Sequence, residues 1–160
     1  MEMKKILTLM YRLIFIFYVY LVMATVFFER DERRSINLIP LEMIKQQGFT
    51  LNVWGNIVLF IPLGVYAAHF LKRSTFLKVT GILFAMSMAI ESIQYVLKRG
   101  ASDVDDVLLN VFGGMVGYSI YAVLRSLLKT KDRLHIAICV LSLIVGIPVM
   151  GLTFLLWMSN

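Results

Sequence analysis

Three aspartates stand within four residues of this 160-residue chain, Asp103, Asp105 and Asp106. Glu91 and Gln94 precede them inside one apolar run, and Asn110 follows inside another. Clustered carboxylates can hold a divalent cation through oxygen. They can also donate or accept a proton in acid–base work. Glu91, Asp103 and Asp106 are the set that would hold such a cation if the chain were an enzyme. Each group also has a structural reading. Ser102-x-x-Asp105 before an apolar run is a capping-box variant, and acids at a helix start complement its dipole. Asn110 lies too deep to cap and reads instead as a helix-to-helix hydrogen bond. Glu91 is the hardest to dismiss. A carboxylate among apolar residues must be paired, neutral or functional, and Lys98 or Arg99 stands close enough in sequence to pair with it.

No serine or cysteine nucleophile stands beside a base, and no glycine-rich phosphate loop is present. The pattern therefore favours a binding protein over an enzyme, with no cofactor beyond that candidate cation. Cys139 is the one cysteine, so no intrachain disulfide forms. His69 and His135 stand apart and alone, which leaves no zinc-type spacing.

The elements that position these groups follow from composition. The chain is 59% apolar and 16% charged, against roughly 45–50% and about 25% in soluble domains. That excludes an ordinary soluble protein. The net charge of +6 reads as Lys and Arg flanking membrane spans, not as a nucleic-acid surface. The fold class expected is an all-α, polytopic membrane bundle in one domain, 1–160. Its helices fall at about 6–28, 53–71, 76–96, 104–128 and 134–157, each long enough to span a bilayer.

The connection 29–52 opens on the charge block ERDERR. Around Pro40 it must be extended or turned, because the residue before proline avoids helix. Leu41 to Gln47 suits a short amphipathic helix along the headgroups, ended by Gly48. Pro62 removes one backbone donor from the second span and should kink it. Trp157 reads as an interfacial anchor. Placing the N-terminus in the cytoplasm puts ten Lys and Arg inside and six outside. The bias favours N-in and C-out.

At about 100° per residue, Asp103, Asp106, Asn110, Gly113, Gly114 and Gly117 share an arc of roughly 100°. Asp105 points away from it. Ser87, Glu91 and Gln94 share one face of the preceding helix. Gly64 and the three glycines on the polar face would let neighbouring helices approach. With N-in topology, Asn37, Asn56, Glu91, Gln94, Asp103, Asp106 and Asn110 gather in the outer half of the membrane as one polar layer.

The strings NLIPL, NIVLFIPLG, IESIQ and GASDVDDVLLNVFGGMVGY, within residues 37–118, resemble the VanZ-like family of small integral membrane proteins. The resemblance falls on Asn37 and Pro40; on Asn56, Phe60, Pro62 and Gly64; on Glu91 and Gln94; and on Asp103, Asp106, Asn110, Gly113 and Gly117. Two positions depart from it. Many members carry an aromatic where this chain has Leu41, and an arginine where it has Gly100, with Arg99 one place earlier. The resemblance implies a cell-envelope protein of Gram-positive bacteria that lowers susceptibility to teicoplanin-type lipoglycopeptides. The partners it implies are membrane lipid and the lipoglycopeptide or a lipid-linked cell-wall precursor. The alternatives are a membrane enzyme acting on such a precursor with carboxylate-bound metal, and a small transporter with Glu91 carrying protons.

Overall fold

The computed structural model describes residues 2–28, 36–71, 74–97 and 102–159. The elements run α1 (Glu2–Phe28), β1 (Ile36–Asn37), α2 (Glu42–Gln47), α3 (Leu51–Phe70), α4 (Phe76–Leu97), β2 (Ser102–Asp103), α5 (Val104–Leu128) and α6 (Lys131–Ser159). Among the described residues, five helices are long and apolar enough to cross a membrane. The chain is a helical, multi-pass membrane protein. Helix ends differ from the hydropathy reading by a few residues. Asn52, for example, is helical in α3 yet interrupts the apolar run that follows Leu51. The short helix ends at Gly48, which takes a positive φ of 70°.

The chain divides into two compact units, Met1–Ala24 with Leu124–Asn160, and Thr25–Val123. In the first unit Tyr11, Ile14 and Tyr18 are buried on α1, at the i, i+3, i+7 spacing of one helix face. Leu134, Ile138 and Cys139 are buried on α6. Gly146 gives room to the Ile14 side chain, which a Cβ there would strike. His135 does not stand alone. Its Nε2 lies 3.0 Å from Thr8 Oγ1 and 3.6 Å from Cys139 Sγ, and Tyr11 meets its ring edge-on.

The second unit holds α3, α4, the first five turns of α5, and the segment carrying β1 and α2. Its helices meet through missing side chains. A Cβ on Gly64 would overlap the Gly114 carbonyl, one on Gly113 the Ile57 carbonyl, and one on Gly117 the Ile61 carbonyl. The Ile57–Gly113 and Ile61–Gly117 pairs step forward by four residues on both helices, so α3 and α5 run parallel with their backbones in contact. Lipid tails are as apolar as leucine, so such packing, not apolar burial, must hold membrane helices together. Leu83 of α4 fills the space beside Gly114. Pro62 sits inside α3 without ending it.

On α4 the buried residues are Val79, Leu83, Ser87 and Glu91, one every fourth residue. The stripe is apolar in its first half and polar in its second. At that polar end β1 pairs in parallel with β2, Ile36 with Ser102 and Asn37 with Asp103. The stretch around Pro40 was expected to be extended or turned; the pairing of residues 36–37 with β2 was not foreseen. Beyond them α2 folds back, packing Met43 and Ile44 against Val53, Ile57 and Leu109.

Candidate functional site

The start of α3, the end of α4 and the start of α5 meet at one end of the second unit, with β1 across them. Asp103 is at the centre. Its Oδ1 accepts the Asp105 N–H at 2.8 Å, the geometry of an aspartate closing the first turn of its own helix. The Asp105 N–H that a Ser102–Asp105 capping box would use thus meets Asp103. Both carboxylate oxygens of Asp103 also accept from Asn37 Nδ2, at 3.3 and 3.2 Å. Its backbone N–H donates to Glu91 Oε2 at 3.2 Å. Asn37 in turn accepts from Ile39 N at 3.0 Å, an Asx turn that starts the bend toward α2.

Two further pairs tie the helices. Asn56 on α3 donates through Nδ2 to Asp106 Oδ1 on α5. Asn110, deeper on α5, donates through Nδ2 to Ser87 Oγ on α4 at 3.0 Å. Ser87 and Asn110 are buried, and the buried Asn110 Oδ1 has no hydrogen-bond partner among the described residues. Reversing the amide would only move the vacancy to its nitrogen, because one hydroxyl serves one end of the amide. The sequence had placed Ser87 on the Glu91 face without naming it as the Asn110 partner; its recurrence every fourth residue with Val79, Leu83 and Glu91 was the signal to follow.

Glu91 is 4% exposed and Asp105 is fully buried. Asp105 is the clear correction to the sequence reading. It was expected to cap α5 and face away. Instead its carboxylate accepts the backbone N–H of Leu41 and, at 2.8 Å, that of Met43. These are orphan donors at the start of α2, so Asp105 caps a different helix. The wheel angle was sound, but the face it pointed to is covered by α2 and not by lipid. Nothing local to Leu41 advertises this, because leucine is an uncommon residue at a positive φ (here 62°).

The sequence-predicted residues therefore fall into three contacts at one end of the unit: Asn37 with Asp103 and Glu91, Asn56 with Asp106, and Asn110 with Ser87. Gln94 is half-buried one turn beyond Glu91 on α4, and makes no hydrogen bond to this set among the described residues. The expected Glu91 partners Lys98 and Arg99, like the charge block 29–34, lie outside the described residues. Among the described residues no three acidic, histidine or cysteine side chains converge as a metal site. Chemically the layer is rich in acceptors. In the hydrogen bonds above, its four carboxylates accept from amides and backbone N–H groups.

Comparison with known proteins gives the chain a family. Residues 8–125 match the family described as VanZ/LLP1. Protein VanZ from Enterococcus faecium is 30% identical over 114 residues, covering 70% of this chain and 69% of that protein. No solved structure matches. Every residue of the polar layer lies inside the matched stretch, and the chain belongs to the VanZ/LLP1 family.

Proposed function

We propose that this protein lowers the action of teicoplanin-type lipoglycopeptides at the cell membrane, with the polar layer as its binding face. The observation that supports this reading is the Asn37–Asp103–Glu91 contact. It spends a buried carboxylate and a half-buried one at the membrane boundary, joining β1, α4 and α5. Intramembrane carboxylates are costly and mark function more often than packing. The Lys and Arg bias supports an N-in, C-out arrangement, which turns this end outward. There a lipid-tailed drug or a lipid-linked wall precursor would meet it, presenting hydroxyl or amine donors to Asn37 and Asp103.

Expression in a susceptible Gram-positive host tests the reading. The teicoplanin concentration needed to stop growth should rise several-fold. Asp103→Asn should return it to the host's value while the protein stays abundant in the membrane. Unchanged susceptibility at full membrane expression of the natural chain would sink the proposal. A reporter active only outside the cell, fused after residue 160, checks the orientation independently.

A further inference from the structure

The connection between α1 and α3 carries apolar side chains that the protein does not cover. Leu38 is 75% exposed and Phe49 67%, with Ile39 also exposed. These residues lie outside every candidate span. In water, such a segment would collapse or disorder. Here its backbone is held at several points. β1 is paired to β2. Ile39 N–H is bonded to the Asn37 side chain. The Leu41 and Met43 N–H groups are bonded to Asp105. The Lys45 N–H donates to the Leu41 carbonyl at 3.0 Å and the Gly48 N–H to the Ile44 carbonyl at 2.9 Å. Met43 and Ile44 take the inward positions, so the outward apolar groups have no interior left to enter.

The patch continues onto a surface that must meet lipid. Leu51, Trp54 and Val58 are exposed on α3, a membrane span, at the i, i+3, i+7 spacing of one face. Phe49 reaches this stripe, its ring 6.0 Å from that of Trp54. The polar side chains of α2 form a separate edge, where Gln46 donates to Glu42 at 2.8 Å. Leu41 points the same way. It holds a left-handed backbone conformation, which strains any residue with a Cβ, and its side chain is exposed. Glycine would satisfy that backbone, so a leucine there gains something by facing outward.

We propose that residues 38–50 form a membrane-dipping strap whose outward leucine, isoleucine and phenylalanine side chains lie among lipid acyl chains, continuous with the lipid-facing stripe of α3. The occupant is the bilayer itself. The strap thus sets an apolar rim beside the half-buried Asn37–Asp103 pair, within reach of an amphiphile's tail when its head meets that pair. The lipid contact does not depend on the drug reading.

The test uses the full chain in phosphatidylcholine nanodiscs. In a Cys139→Ser background, fluorescent labels are placed at Leu38→Cys, Phe49→Cys and, as a control on the polar edge, Gln46→Cys. Nitroxide lipids should quench the labels at 38 and 49 strongly and aqueous iodide weakly, with the reverse at 46. Equal iodide quenching at all three positions overturns the proposal. Should a labelled variant fail to fold, Phe49→Trp with Trp54→Phe and Trp157→Phe leaves a lone tryptophan at the strap's own outward position. Brominated lipid tails should then remove most of its emission. Loss of that emission to iodide instead also overturns it.

Discussion

The two units solve the same problem in different ways. Both must hold helices together in lipid, where apolar burial gives little drive. The unit of α1 and α6 does it with side chains: Tyr11, Ile14 and Tyr18 on one helix, Leu134, Ile138 and Cys139 on the other, with Thr8 meeting His135 between them. The unit of α3, α4 and α5 does it with backbone contact at Gly64, Gly113 and Gly117, and with a carboxylate or amide contact wherever elements meet at one end. Side-chain packing tolerates exchange. Backbone contact and buried carboxylates do not. The difference separates a part that only needs to pack from one that must hold polar groups in a set geometry.

Glycine substitutions should break this contrast most visibly. Gly117→Leu drives a side chain into the Ile61 carbonyl, against backbone that cannot rotate aside. The cost should be at least about 3 kcal/mol, the upper end for overpacking, and the protein should be lost from the membrane fraction. Gly151→Ala, on α6 where nothing lies within 4 Å of the added Cβ, should be neutral or slightly stabilising, since alanine is the better helix former by about 1 kcal/mol. Equal abundance of the two variants would show that the α3–α5 backbone contact is not what holds the second unit.

Next in size is Asp105→Asn. The fully buried carboxylate accepts two backbone N–H groups. An amide can present one oxygen to them and turns an NH₂ toward the other. The expected loss is about 3 kcal/mol, the upper range for hydrogen bonds to a charged group. It should be seen as a lower unfolding midpoint in detergent and faster proteolysis within residues 38–50. A midpoint unchanged from the natural chain would mean that the strap is held without its clasp.

How much of this was legible follows the range of the interactions. The five spans show because a run of about twenty apolar residues is the length a bilayer demands and a soluble core rarely uses. The glycine face and the Asp103–Asp106–Asn110 arc show because helical periodicity is local. The partners were only half legible. Asn37 and Asn56 could be gathered into the same layer, but which carboxylate each would meet depends on packing between segments 50 to 66 residues apart. The β1–β2 pair is two residues long on each side, too short to leave a period. Asp105 misled for the same reason. A wheel says which way a residue points, and only the tertiary fold says what waits there.

A smaller effect comes from the first unit. Thr8→Val keeps the shape of the side chain and removes the hydroxyl 3.0 Å from His135 Nε2. The loss should be about 1 kcal/mol, the usual worth of a neutral hydrogen bond, with the drug phenotype unchanged at equal abundance. A lost phenotype in an abundant Thr8→Val protein would carry function into the unit assigned here to packing alone.

The smallest stability change expected is also the most discriminating. Ser87 and Asn110 are buried together, and their contact leaves the Asn110 Oδ1 without a partner among the described residues. Replacing both partners by apolar groups, Ser87→Ala with Asn110→Leu, removes the hydrogen bond and the orphaned acceptor at once. Such paired replacements are near neutral or stabilising, so the unfolding midpoint should stay within the equivalent of about 1 kcal/mol. If the pair were only a staple, the drug phenotype would survive with it. The polar layer read as a binding face predicts the opposite: full abundance, an unshifted midpoint and lost resistance. That outcome would give the buried Ser87–Asn110 pair a role in the proposed binding face beyond holding α4 to α5.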